Sequence, residues 1–210
     1  LYADVNCEND PEEIKQAVIY WTQDLMKGHA TVTPDDIFVV VDPAHEDRIA
    51  SATILIPQTW RYEDIPLLVG RPELVATYPQ YRGQGLVRAL FEAVHERSAA
   101  LGHHIQAITG IPHFYRQFGY TMAVDLGDHA SFPFYNLSDP AADTQPAFTL
   151  RPATPDDIPN MTTWYNLMAR DRLLTELHSP DEWRYEIMGR HSGSAQVMDY
   201  QIIVNAAGIA

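Results

Sequence analysis

The sequence holds a single cysteine, Cys7, so no disulfide can close within the chain and no cysteine-built zinc cage can form. Basic residues are also scarce, with 14 Lys and Arg against 28 Asp and Glu and a net charge of −14. Nucleic-acid affinity comes mainly from cations set against phosphates, so this balance argues against a nucleic-acid partner. It suits a cationic one, an amine or a basic peptide, whose local concentration an acidic surface raises; the alternative is that the acidity serves solubility alone. No apolar run approaches the ~20 residues that cross a bilayer, so no membrane partner is expected. No basic stretch followed by an apolar one opens the chain, and the expected compartment is the cytoplasm. Nine histidines invite a metal hypothesis. Yet no His-Glu-x-x-His spacing occurs, and the adjacent His103 and His104 would face opposite ways on a strand, so no metal is expected.

What is present is a globular composition, 46% hydrophobic, with alternating helical and extended patterns. Asp10 and Pro11 open a helix whose first turn carries Glu12 and Glu13, and Ile14, Ala17, Val18, Trp21 and Leu25 recur on one face. Three strands are expected next, at Ile37 to Val41, at Ile49 to Ile56 ended by Pro57, and at about Pro72 to Thr77. A loop with Trp60 and Tyr62 separates the last two. A second helix carries Leu86, Leu90, Ala93, Val94 and Leu101 and stops at Gly102. A strand over His103 to Thr109 and a helical turn around His113 to Gln117 follow. Residues 136–147, poor in apolar side chains, read as a linker between a domain at 1–135 and a shorter one at 148–210. The second opens with a strand at Phe148 to Arg151 and a helix start at Thr154 to Asp157, and ends with a strand at Val197 to Val204. This order makes the fold α+β with a mixed sheet flanked by helices. The chain begins at Leu1 rather than Met, which leaves open whether it is a fragment, and homo-oligomerisation is left open too.

Between the third strand and the second helix stands Gln80-Tyr81-Arg82-Gly83-Gln84-Gly85. Glycines there remove side chains where a bulky anion must approach the backbone, and the helix start directs unpaired N–H groups and a positive dipole end at it. Arg82 and Arg88 can add charge from the flanks. The arrangement suits a pyrophosphate. It is not a P-loop, which needs Gly-Lys-Ser/Thr, nor a dinucleotide fingerprint, whose third glycine is replaced by Arg88. Alone, such a turn can equally be an ordinary strand-to-helix connection.

The stretch from Val75 to Leu86, VATYPQYRGQGL, resembles the acetyl-CoA motif of the GCN5-related N-acetyltransferase (GNAT) superfamily. The later stretch from Ile111 to Tyr120, IPHFYRQFGY, resembles its second motif, with Tyr115 four residues before Gly119-Tyr120. The resemblance is closest to the Eis-like aminoglycoside acetyltransferases, tandem GNAT domains followed by a sterol-carrier-like domain. It covers about Asp10 to Leu126, and Phe148 onward resembles the opening of a second GNAT domain. By this resemblance the family's first strand and first helix would precede Leu1, and residues 148–210 are expected to stop short of a second cofactor motif and of a sterol-carrier-like domain.

The resemblance implies an acetyl-CoA-dependent transferase that moves acetyl to a small-molecule or peptide amine by direct attack through a tetrahedral intermediate. It implies that the backbone of Val75, Ala76 and Thr77 pairs with the pantetheine arm. The pyrophosphate would rest on Arg82, Gly83, Gln84, Gly85, Leu86, Val87 and Arg88, and Gly110 and Ile111 would line the cosubstrate. Tyr115 would protonate the departing thiolate; otherwise it is a core aromatic. Glu73, read as sharing the face of Val75 and Thr77, would take the amine proton, directly or through water; otherwise it is a strand-end acid paired with Arg71. His95 and His113 are further candidate bases, and Trp21, Trp60 and Tyr62 are either acceptor-site or packing aromatics. The alternative function is a non-catalytic acyl-CoA-binding or regulatory module.

Overall fold

The structure is a computed structural model that describes residues 1–111, 113–124 and 146–208. Pro112, the expected end of the first domain and most of the expected linker lie outside the described residues. The chain opens with helix α1 (Tyr2–Asn6) and helix α2 (Glu12–Met26). Glu12 and Glu13 sit in the first turn of α2, at its positive dipole end, and Pro11 rather than Asp10 occupies the capping position. Strands β1 (Ile37–Asp42), β2 (Arg48–Tyr62) and β3 (Ile65–Thr77) follow as antiparallel neighbours. Helix α3 (Leu86–Ala100) then leads to the short strand β4 (Ile105–Gln106), parallel to β3. The result is a mixed sheet in the order β1-β2-β3-β4 with helices against it, an α+β architecture.

Strands β2 and β3 are much longer than the sequence pattern suggests. They form one hairpin, turning at Glu63 and Asp64, so Trp60 and Tyr62 lie in β2 rather than in a loop. Pro57 does not end the strand. It pairs with Gly70 beyond the end of β1 and short of the next strand on that side, so its missing N–H interrupts no ladder. Its carbonyl accepts a hydrogen bond from Thr31 Oγ1 at 2.7 Å.

That next strand is β6 (Leu174–Leu177), which pairs antiparallel with the end of β2 from Thr59 to Tyr62. It is flanked by helix α4 (Ile158–Met168) and helix α5 (Pro180–Arg184). Residues Thr154–Met198 thus belong to the same compact unit as Leu1–Thr121, a division that departs from the boundary expected at 148. The physical reason is β6: its backbone groups complete the β2 edge that β1 leaves unpaired. A second, smaller unit holds the antiparallel pair β5 (Phe148–Pro152) and β7 (Gln201–Asn205). The capping box before α4 forms as the sequence suggests, with Thr154 N and Oγ1 both donating to Asp157 Oδ2 at 2.9 Å.

One core lies between the sheet and the first two helices, where Ala52, Ile54, Ile56, Leu74 and Ala76 meet Tyr2 and Leu25. Leu90, Phe91 and Val94 of α3 are also buried. Helices thus pack against the sheet around the middle of β3, along which the site is built.

Candidate active site

The site begins where β3 and β4 separate. The two strands pair at Val69 with Ile105 and at Gly70 with Gln106, and Ala107 N donates to Gly70 O at 3.0 Å. Beyond that point no strand among the described residues borders the outer edge of β3. Tyr78 N donates to Ala50 O at 3.1 Å and Ala76 stands opposite Ala52, so the polar backbone groups of Tyr78 and Ala76 face β2. Those of Val75 and Thr77 therefore face outward. Side chains now touch the two outward carbonyls, Asn6 Nδ2 donating to Val75 O at 3.5 Å and Arg82 Nε to Thr77 O at 3.3 Å.

A bulge sets this edge. The register runs from Ala52 opposite Ala76 to Ile54 opposite Glu73, so Leu74 and Val75 together oppose Thr53. Leu74 takes φ 54°, a left-handed conformation that a leucine adopts only when its surroundings hold it. It is 6% exposed in the core, and Thr53 Oγ1 donates to Glu73 O at 2.9 Å across the irregularity. The bulge corrects one expectation. By register Glu73 shares the face of Ile54 and Ala76, whereas Thr77 lies on the other, where its hydroxyl meets Ser51 Oγ at 2.7 Å. The extra residue inverts the alternation that an unbroken strand would keep.

The turn after β3 has the form the sequence suggests. Gly83 and Gly85 adopt φ 75° and 77°, and a Cβ at either would meet nothing within 4 Å. Backbone conformation, not crowding, demands glycine there, and the space above the turn is open. Gly85 caps α3, and the first helical bond, from Ala89 N to Gly85 O at 3.1 Å, leaves the N–H groups of Leu86, Val87 and Arg88 without an intrahelical partner. Open space and unsatisfied donors at a positive dipole end fit a pyrophosphate. The expected flanking cations are partly committed: Arg82 reaches back to Thr77 O, while Arg88 donates to Gln117 Oε1 at 3.2 Å and lies 5.4 Å from the Phe118 ring centroid. Gln84 Nε2 donates to Gln80 O at 3.3 Å.

Tyr115 opens the 3-10 turn Tyr115–Phe118 and is half-buried. Its ring lies 5.7 Å from Phe91, 5.0 Å from Phe114 and 6.2 Å from Tyr120. Gly110 is what admits it, for a Cβ at Gly110 would lie 2.3 Å from Tyr115 Cε2. Ile111, the other residue expected to line the cosubstrate, is 67% exposed. Burial, and then the nearby Glu73 carboxylate, push the Tyr115 phenol above the ordinary tyrosine value, so it keeps its proton at neutral pH. Tyr120, whose phenol burial raises further, donates to Gln106 Oε1 and meets His95 Nε2 at 3.4 Å.

Glu73 is buried, at 8% exposure. Arg71 Nη2 donates to its Oε1 at 2.6 Å and Thr109 Oγ1 to the same atom at 2.9 Å. The pairing with Arg71 weighed from the sequence is present, on a carboxylate sheltered from solvent. Thr109 escaped the sequence reading because its signal, a hydroxyl at the end of a strand pattern, is shared by many structural threonines. Burial lowers the proton affinity of the His95 imidazole, which packs edge-on to Phe91. His113 lies on the same turn at φ 73° and is exposed. Trp60 donates to Gln58 Oε1 at 3.1 Å, Trp21 packs against the core, and Tyr62 is 43% exposed at the hairpin end. Among the described residues no group of His, Cys, Asp and Glu is placed to hold a metal, and no helix is long and apolar enough to cross a membrane.

A search of proteins of curated function returned no match. Among solved structures, a conserved protein of unknown function from Enterococcus faecalis V583, described as a probable N-acyltransferase, aligns with a TM-score of 0.61 at 14% identity. The match covers 100% of this chain and 49% of that protein, so the chain spans about half its length. The Saccharomyces cerevisiae N-myristoyltransferase, solved with bound myristoyl-CoA, aligns with a TM-score of 0.53 at 14% identity, over 79% of this chain and 41% of that one. A Trypanosoma brucei acetyltransferase aligns at 24% identity with a TM-score of 0.38, covering 46% of this chain and 70% of that one. The first two show a shared fold. The family model described as "Acetyltransferase (GNAT) domain" matches residues 11–123, more than half of the sequence and the whole stretch from α2 through the splayed strands to Tyr115. The chain belongs to the GNAT acetyltransferase-domain family.

Proposed function

We propose that the chain is an acetyl-CoA-dependent N-acetyltransferase, moving acetyl to an amine by direct attack through a tetrahedral intermediate. The observation that carries this reading is one continuous line of features. What supports it is the outward backbone of Val75 and Thr77 past the point where β3 and β4 part, the unpaired N–H donors at the start of α3, and the half-buried Tyr115, packed against Gly110 and near enough to Glu73 to feel its charge. When bound, acetyl-CoA supplies an activated thioester. The chain's residues do the rest. The outward backbone of Val75 and Thr77 binds an extended arm as an added strand would, with Asn6 and Arg82 yielding the carbonyls they now touch. The turn from Arg82 to Arg88 holds the phosphates. Ile111 belongs to the same lining, whereas Ala76, whose backbone groups face β2 and whose side chain is buried, holds the edge from beneath.

Tyr115, kept protonated by burial, gives its proton to the departing sulfur. Glu73 takes the amine proton, held in place by Arg71 and Thr109. A small-molecule or peptide amine fits the acidic chain, whose net charge of −14 favours cations. The tandem Eis-like grouping rests on the two motifs and on the full-length alignment with a protein twice as long. The partner and compartment readings, amine rather than nucleic acid or membrane, and cytoplasm, rest on composition.

Free thiol measured with acetyl-CoA and a panel of amines tests the proposal. Amine-dependent thiol release is the expected outcome. Calorimetric CoA binding without release across the panel would turn the reading to a non-catalytic acyl-CoA-binding module, and failure to bind CoA would sink both.

A further inference from the structure

Past the end of the β3–β4 ladder, a side-chain bond still joins β3 to the chain that leaves β4. The ladder closes where Ala107 N donates to Gly70 O at 3.0 Å. Glu73 lies further along β3, and Thr109 lies beyond Ala107. Thr109 Oγ1 donates to Glu73 Oε1 at 2.9 Å, across the place where the strands part. Arg71 Nη2 donates to the same oxygen at 2.6 Å, from the same face of β3. A carboxylate oxygen offers about two lone-pair sites, so the guanidinium and the hydroxyl together fill Oε1. Oε2 accepts from no described residue. One oxygen of this buried carboxylate is anchored twice, and the other keeps its lone pairs.

The two anchors differ in what they fix. The last torsion of a glutamate is broad and roughly two-fold, so a single contact from Arg71 leaves the carboxylate free to turn. A second donor, arriving from the chain beyond β4, stops that rotation. Thr109 is itself exposed and lies outside the main core cluster, so its hydroxyl serves Glu73 and not the packing. It also leads directly into Gly110, whose missing side chain makes room for the Tyr115 ring.

We infer that Thr109 is a positioning residue: with Arg71 it ties down Oε1 of Glu73 and so presents Oε2 as the atom that receives the amine proton. The inference deepens, and rests on, the acetyltransferase reading in which Glu73 is the base. An N–H bond of the ammonium breaks and an O–H bond forms at Oε2, directly or through a water that relays the proton. The nitrogen keeps the electron pair with which it attacks the thioester carbon. Tyr115 gives its proton to the sulfur as the carbon–sulfur bond breaks. The dipeptide Thr109-Gly110 thus places both ends of the proton path, one through a hydrogen bond and the other through close packing.

Thr109→Val keeps the shape and removes the hydroxyl, Thr109→Ala removes it with less bulk, and Thr109→Ser retains it. The first readout needs no turnover and is the crystal structure of each protein. The expected result is one Glu73 carboxylate orientation in the native and serine proteins, and a rotated or doubled one in the valine and alanine variants. A carboxylate unmoved in both of those variants overturns the inference. The second readout is steady-state kinetics with an accepted amine. In the valine and alanine variants kcat should fall about tenfold, part of what a well-placed base contributes, with KM for acetyl-CoA unchanged. Thr109→Ser should restore it, and in a Glu73→Gln background loss of the hydroxyl should lower kcat no further. Native kcat in the valine and alanine variants, an equal loss in the serine variant, or a loss that persists without Glu73 overturns the inference. If the native protein acetylates no amine, the transferase reading falls and the proton-acceptor role with it, while the crystal structures still decide whether Thr109 orients Glu73.

Discussion

Tyr115 and Gly110 meet so closely that the ring leaves no room for a side chain at Gly110. Tyr115→Phe keeps the ring and removes the proton donor, so turnover should fall about 10²-fold, the low end for acid catalysis, with CoA affinity held. Steady-state kinetics with an identified amine check this, and unchanged turnover would take Tyr115 out of the mechanism. Because burial and Glu73 both raise the phenol, loss of activity from its deprotonation should lie above pH ~10, the ordinary tyrosine value. Gly110→Ala sets a methyl 2.3 Å from Tyr115 Cε2, so the ring must swing away. We expect a loss of about 1–3 kcal/mol in stability and a fall in turnover close to that of Tyr115→Phe. The residue scale also holds a pH signature away from the site. The His29 imidazole, pushed down to about 4 by burial and then by Arg190, accepts hydrogen bonds from Thr31 N and Val32 N at 3.2 and 3.3 Å and is neutral in the folded state. Between about 4 and the unfolded value of ~6.5 the unfolded chain binds a proton the folded chain refuses. Stability contributed above that window is lost as pH falls through it, and His29→Gln should flatten the fall in melting temperature between pH 7 and 4.

At the scale of elements, α3 and the turn before it act as one piece. Gly85→Ala forces an alanine to φ 77°, which costs about 1 kcal/mol or more. It also displaces the donors at the start of α3. Calorimetry should show CoA affinity falling about tenfold, the equivalent of ~1.4 kcal/mol, with little loss at Arg97 or elsewhere late in the helix. Unaltered affinity would mean that the turn serves geometry alone. These glycines were legible because a left-handed turn ahead of an amphipathic helix has few other sequence solutions. The bulge at Leu74 was not legible. Leucine is a poor predictor of positive φ, and the bulge exists because Thr53, the core and the register on both sides hold it. The extension of β2 through Pro57 was hidden for a related reason: proline ends a strand only where a neighbour needs its N–H, and here the neighbour changes from β1 to β6.

Across the whole molecule the acidic excess is the dominant field. For a cationic amine, raising ionic strength from about 10 to about 300 mM shortens the screening length well below ~30 Å. KM for the amine should rise while kcat holds, and a neutral acceptor of similar size should show no such trend. The same scale explains the departure in organisation. A strand-helix-helix-strand pattern after residue 148 reads as a domain of its own, yet β6 supplies the backbone partners that the end of β2 requires.

By itself the sequence determined the α+β class, the glycine turn at the start of α3, the tyrosine four residues before Gly119-Tyr120 and the family. These are local: each depends on a periodicity, a backbone conformation or a spacing within one short stretch. Tertiary structure alone decided which face Glu73 occupies, that Thr109 and Arg71 hold it, and that Glu176 meets Gln58 of β2 from more than a hundred residues away. Each of those depends on strand register and on a bulge, and register is fixed only when two strands and the core between them are assembled together.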